Sequence, residues 1–273
     1  MNGSPVASDA DMPRWNVDAA MREMLAREAN RADGDKLSHQ WPGLDVPTAY
    51  RVQDALVRRK VEAGETIAGI KLGLTSRAKQ ERMGIDAPLT GWLTDAMATP
   101  VGQPIRLREL IHPRIEPEIV FVMGERLLGP GVTNETALAA VAGVRAGLEI
   151  IDSRYRDFDF ALPDVVADNA SAARFVVGDT QAAPNGLDLA LEACLLSVDG
   201  QVVDSATGAA VLGNPADALA LAANDLGRRG IAIEAGWLVL TGGLTDAVLM
   251  VAGQEILAEF TSLGSLRVEV LDE

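Results

Sequence analysis

Apolar residues recur at helical spacing in two N-terminal stretches. Val17, Met21, Met24 and Leu25 form a stripe behind Asn16, a good N-cap, and predict a helix over 16–32. A proline-bearing loop follows at 41–47. Val52, Leu56 and Val57 then predict a helix over 48–63, with Gly64 as its stop. Residues 1–15 have no period and are expected to fray. From residue 66 onward the period shortens. Residues 66–76 predict a strand that ends in small residues. Turn signals at Gly84, Pro88 and Gly91 predict loop and short helix over 77–104. A strand over 116–123, a turn at 129–131 and an alanine-rich helix from Thr133 to Arg145 come next. Strands are expected over 147–153 and 174–178, joined by a polar and aromatic loop at 154–163.

The last hundred residues predict mostly strand. Asp199-Gly200-Gln201 joins apolar runs at 191–198 and 202–203 as a hairpin. One helix starts at Asn214-Pro215 and stops at Gly230. Strands are expected over 237–240, 248–251, 256–260 and 266–270. There is no repeat and no low-complexity segment. The pattern predicts an α+β fold: a mixed β-roll or sandwich with a helical N-terminal part. The expected division is an N-terminal α/β part over 1–80, a candidate lid, and a β-roll over 81–273. Tyr50 and Gln53 are the candidate lid contacts.

Composition narrows the function. The chain has 273 residues, 48% of them hydrophobic, enough for a substantial core. A net charge of -15 argues against nucleic-acid partners and against an anionic membrane surface. No apolar run has transmembrane length, and the N-terminus lacks a signal pattern, so a soluble cytoplasmic protein is expected. Cys194, the single cysteine, sits in an apolar run and is expected in the core, with no disulfide.

Charges inside apolar strands carry the chemistry. Glu116 and Glu118 are two apart, so on a strand both carboxylates face one side. They repel each other and need a hard cation or a basic side chain. Glu149, flanked by Leu148, Ile150 and Ile151, is a third carboxylate in a strand composed for burial. Three glutamates from two strands form one face of an oxygen site suited to Mg²⁺ or Mn²⁺. Zinc is disfavoured, because the only histidines are His39 and His112 and no cysteine cluster exists. His112 suits a structural role. Lys71 is either an edge-strand lysine with its amine in water or a lysine facing a pocket. Asn169 and Ser171 either bind a substrate carboxylate or cap a local turn. Gly242-Gly243 either offers N–H groups to an anion or makes a plain turn.

Four separated motifs, over 69–76, 114–119, 148–154 and 166–171, together resemble the hydratase/decarboxylase branch of the fumarylacetoacetate hydrolase superfamily. Residues 240–245 and 263–266 are similar too. The resemblance spans about residues 48–270 and implies a β-roll with Mg²⁺ or Mn²⁺ on Glu116, Glu118 and Glu149 and an active-site Lys71. It places substrate-binding positions at Leu74, Ser76, Asp168, Ser171 and Gly243. It implies a 2-oxo diacid substrate and an oligomer, with vinylpyruvate hydratase as a candidate partner. The branch holds 4-oxalocrotonate decarboxylases and 2-hydroxypentadienoate hydratases. The hydratases are expected to carry an aspartate after the proline of the segment that reads Ala87-Pro88-Leu89-Thr90-Gly91 here. Leu89 cannot do acid–base work, so the resemblance favours decarboxylation. Hydration is the alternative, and a non-catalytic partner subunit the third.

Overall fold

The computed structural model describes residues 15–273. Of the stretch expected to fray, all but residue 15 lies outside it. The helix α1 (Val17–Asn30) begins where Asn16 accepts the Ala19 N–H at 2.9 Å, and it ends on left-handed Arg31. After the single turn α2 (Leu37–Gln40), α3 (Val46–Glu62) starts two residues earlier than the apolar spacing suggests. The cause is Asp45, which caps it by accepting the Thr48 N–H at 2.8 Å. The short α6 (Leu162–Ala167) meets both longer helices, and Met21, Met24, Val52, Leu56 and Val166 fill the space between them.

The remaining elements are β1 (Ile67–Gly73), α4 (Arg77–Met83), β2 (Leu89–Thr94), β3 (Ile105–Arg106), β4 (Arg114–Met123), α5 (Asn134–Ala139), β5 (Val141–Ile151) and β6 (Ala172–Ala182). They continue with β7 (Ala193–Val198), β8 (Gln201–Thr207), α7 (Pro215–Arg228), β9 (Leu238–Gly243), β10 (Val248–Leu249), β11 (Glu255–Phe260) and β12 (Gly264–Leu271). The larger sheet runs β2-β1-β9-β4-β5-β6, with β10 beside β4, and only the β1–β9 pair is parallel. The second sheet runs β3-β12-β11-β7-β8, and its β12 packs on β5 and β6. Ile119, Phe121, Val144 and Leu148 share the main core with Leu196, Ile256 and Val268 of the second sheet. This is the expected α+β roll. Cys194 is buried in it, as expected, and burial pushes its thiol up to about 12.

Several expectations need correction. The alanine-rich run leaves the helical state at Ala139, and Val141 already pairs with Met123 in the β4–β5 ladder. Local helix propensity of a few tenths of a kcal/mol per residue loses to an eleven-residue strand with buried valines. The capping at Thr133 is real, with Thr136 reciprocating. Residues 77–104, expected as loop and short helix, contain β2. Gly91 lies inside that strand, because a Cβ there would meet Asn169 O at 2.7 Å and Lys71 Cδ at 2.9 Å. β6 extends well beyond the short strand expected at 174–178. β1, the last strand of the expected N-terminal part, is hydrogen-bonded between β2 and β9 in the larger sheet. Among the described residues no helix is long and apolar enough to cross a membrane.

Candidate metal centre and active site

The site grows from the β4–β5 ladder. Glu116 stands directly opposite Glu149, while Glu118 pairs with Gly147 on one side and Gly243 on the other. Like charges opposite one another on antiparallel strands destabilise the pair unless something compensates them. All three glutamates offer an oxygen within 4.8 Å of the others. Glu118 and Glu149 are wholly buried.

Compensation comes from two directions. The Gly242 N–H donates to Glu118 Oε2 at 2.7 Å. Lys71 Nζ lies 3.0 Å from Glu149 Oε1 as an ion pair and donates its hydrogen bond to Ala170 O at 3.0 Å. Burial alone would lower the ammonium, but the charges of Glu149, Glu116 and Glu118 outweigh it and hold Lys71 above the usual lysine range. Burial raises Glu118 well above the carboxylate range, helped by Glu149 and Glu116 and opposed by Lys71 and the Gly242 N–H.

Two oxygens have no donor among the described residues, Glu118 Oε1 and Glu149 Oε2, while Glu149 Oε1 meets the Lys71 ammonium. Buried carboxylate oxygens without donors cost several kcal/mol. An all-oxygen set of this kind suits a hard divalent cation. Gly243 has no room for a side chain, because a Cβ would run into the Glu116 carboxylate. Gly242, at φ 114°, would collide with Thr75. The Gly-Gly pair therefore ends β9 rather than forming the plain turn, and one of its N–H groups does meet an anion, the protein's own.

A cavity of about 260 Å³ opens beside this cluster. Lys71, Leu74, Ser76, Glu116, Ser171 and Gly243 border it, so the fold brings six of the nine candidate positions to one cavity. Glu118 and Glu149 do not border it and belong to the carboxylate cluster. Asp168 does not border it either. It is buried, paired with the Arg154 guanidinium, and accepts the Ser171 hydroxyl at 3.1 Å. Asp168 thus places Ser171. The Asn169 amide is occupied as well, accepting the Trp92 N–H at 2.8 Å and donating to Trp92 O at 2.9 Å. A larger hollow of about 560 Å³ elsewhere is lined by charges that already pair, Lys60 with Glu28 and Arg174 with Glu109, and none of the three glutamates borders it.

Lys71 is no edge lysine, since β1 has a partner on both sides. His112 is structural: Nε2 lies 2.7 Å from Ser153 O and its ring packs against Phe158. Gln53, a candidate lid contact, is buried and ties α3 to Thr90 O and Val166 O at 2.9 and 3.1 Å. Tyr50 lies under the Arg229 guanidinium at 3.9 Å.

Apolar side chains also border the cavity: Leu89, Ile151, Phe158, Phe160 and Val165. The sequence offers Arg154 and Phe158 only as parts of a decarboxylase-like segment, 154–158, without a role for either, and it does not single out Phe160. Two phenylalanines in an otherwise polar loop were the available signal. Strain gathers here too. Leu74, Phe158, Ala170 and Ser171, all on the cavity wall, hold φ between 51° and 58° without being glycine. Such conformations cost about 1–3 kcal/mol each and persist where the surroundings impose them.

A carboxylate triad and a buried lysine on the inner strands of a β-roll define a class. The profile of the fumarylacetoacetate (FAA) hydrolase C-terminal family matches residues 57–271, and the chain belongs to that family of enzymes. A 4-oxalocrotonate decarboxylase from Pseudomonas putida is 41% identical over 253 residues, covering 93% of this chain and 96% of its own. A 2-hydroxypent-2,4-dienoate hydratase from Pseudomonas putida is 42% identical over 190 residues, covering 69% of this chain and 86% of its own. The solved 4-oxalocrotonate decarboxylase of Pseudomonas putida G7, complexed with magnesium and adipate, superposes with a TM-score of 0.91 at 39% identity, over 93% of this chain and 97% of that one.

Proposed function

We propose that this protein decarboxylates a 2-oxo-3-enedioate, 4-oxalocrotonate, to 2-hydroxypenta-2,4-dienoate and CO₂ with Mg²⁺ or Mn²⁺. The observation that carries the reading is the Glu116, Glu118 and Glu149 cluster, in which Glu118 Oε1 and Glu149 Oε2 have no donor, beside a cavity bordered by Glu116 and by Leu89, where an acid would serve hydration. Glu116, Glu118 and Glu149 would hold the cation. When bound, it supplies a Lewis acid for the negative charge that develops on the 2-oxo oxygen as CO₂ departs. The P. putida G7 relative, with its magnesium and six-carbon diacid, supports both the metal and the substrate class.

The remaining work falls to the chain's own side chains. Lys71, pinned by Glu149 and Ala170 O, keeps an ammonium at the cavity wall to orient the substrate and stabilise charge. The Ser171 hydroxyl, placed by Asp168, is available to a substrate carboxylate. Leu89, Phe160 and Val165 exclude water, which keeps the dienol product from being hydrated in place. The competing reading is hydration, supported by the 42% identical hydratase. It needs an acid to manage water, and the Leu89 side chain offers none.

The test is direct. Purified protein, Mg²⁺ and 2-oxohex-3-enedioate should release CO₂ in a metal-dependent way. Absence of CO₂, together with conversion of 2-hydroxypentadienoate to 4-hydroxy-2-oxopentanoate, would overturn the reading in favour of hydration. A hydratase is the proposed partner, since it would consume the dienoate product; co-sedimentation of the two proteins tests this.

A further inference from the structure

Arg114 is a cation without an anion among the described residues, and it packs on two residues that border the cavity, Ile151 and Phe158. It shares a strand face with Glu116 and Glu118, because 114, 116 and 118 alternate on β4. Its direct cross-strand neighbour is Ile151, which borders the cavity, just as Glu116 faces Glu149 one step further along the ladder. Its guanidinium carbon lies 4.7 Å from the ring centre of Phe158, another wall residue. Phe158 itself is held at φ 56°, next to Asp157 at the same φ, and its other neighbour is the His112 ring at 4.9 Å. A bulky residue in that conformation is a positioned one.

Half-buried guanidinium groups normally find acceptors. Arg27, Arg106, Arg145, Arg154, Arg174 and Arg229, the other described arginines that are not exposed, each donate to a named oxygen. Arg114 alone among them has no acceptor among the described residues, and its Nε is buried without a partner. The cations around it are already engaged: Lys71 by Glu149, Arg154 by Asp168, Arg156 by Asp33 and Asp35.

We propose that Arg114 binds the distal carboxylate of the substrate, the group that leaves as CO₂, and so selects six-carbon diacids over 2-oxo monoacids. The proposal deepens the decarboxylase reading and rests on it. Two residues along a strand span about 6.7 Å, comparable with the distance between the two ends of an extended six-carbon diacid. An acid whose 2-oxo end sits at Glu116 therefore reaches the Arg114 end with its far carboxylate. A guanidinium is suited to that carboxylate, offering a planar fork of donors that keeps it ionised. Stacking on Phe158 fixes the plane of the fork.

The experiment is calorimetric binding to the Mg²⁺-loaded protein of two probes that differ only at the far end, 2-oxohexanedioate and 2-oxohexanoate. Wild type should prefer the diacid. R114M should lose about 10- to 100-fold in diacid affinity and leave the monoacid nearly unchanged. R114K should fall between, and R114Q replaces R114M if the latter does not fold. An equal loss for both probes, or a diacid preference that survives in R114M and R114Q, would overturn the assignment. CO₂ release by wild type is measured alongside. Release with an unchanged preference in the variants sinks Arg114 and keeps the decarboxylase reading. No release with a lost preference sinks that reading and keeps Arg114 as a diacid site.

Discussion

Lys71 Nζ and Glu149 Oε1 stand 3.0 Å apart inside the larger sheet, on side chains that are 4% and 1% exposed. Three carboxylates converge there on one ammonium. Removing that ammonium leaves a buried charge without its partner, which costs about 3–5 kcal/mol. K71M should therefore be less stable than wild type by that amount in urea unfolding in a chelating buffer. Added Mg²⁺ or Mn²⁺ should recover part of the loss, since the cation replaces the missing positive charge. Decarboxylation should stay lost in both buffers. A variant as stable as wild type without metal would mean that the pair contributes nothing.

The same cluster predicts opposite responses of one substitution in two buffers. Glu118 is buried against two like charges, so in chelator E118Q should be at least as stable as wild type. With metal at a hundred times its dissociation constant, wild type should gain about 2.7 kcal/mol. E118Q should gain far less, having lost a ligand. Thermal unfolding of both proteins with chelator and with Mg²⁺ measures all four values. An equal gain for the two would remove Glu118 from the ligand set.

Which parts of this site were legible in the sequence follows from the range of the forces involved. The Glu116–Glu118 alternation and a carboxylate among Leu148, Ile150 and Ile151 are local patterns whose cost is paid wherever the strands lie. The burial of Lys71 is not decidable locally, because β9, which flanks β1 opposite β2, comes from a distant part of the chain. Pro88 and Gly91 read as turn signals and hide β2, whereas Gly91 lacks a side chain where the Asn169 backbone and the Lys71 side chain approach. Arg154 and Asp168 fall in recognisable motifs, yet nothing in their spacing says that they pair beneath the cavity. The alanine run after Thr133 misled for the reverse reason. Its local preference is weak, and the β4 ladder overrides it.

Cys194 gives a probe of global opening. It is 1% exposed, and burial pushes its thiol up to about 12, so the native protein presents almost no thiolate. A thiol-reactive dye should label no site in the folded protein and one in denaturant. Raising the pH from 7 to 9 should leave the native labelling rate far below that of the unfolded chain. Rapid stoichiometric labelling of native protein at pH 8 would show that β7 opens readily.

Leu89 bears on the choice between decarboxylation and hydration. It is 4% exposed, borders the cavity, and packs with the helical cluster. An aspartate there would place a carboxylate where water could be managed, which is the arrangement expected of the related hydratases. L89D should lower decarboxylation and bring measurable metal-dependent hydration of 2-hydroxypentadienoate. The substitution should also cost about 2–5 kcal/mol, because it deletes buried methyl groups and buries a charge. L89N controls for that loss: similar size and polarity, similar stability, no base. Hydration in L89D but not in L89N would assign the effect to the carboxylate. Equal outcomes in the two variants would mean that the apolar wall at Leu89 excludes water and does not decide the reaction.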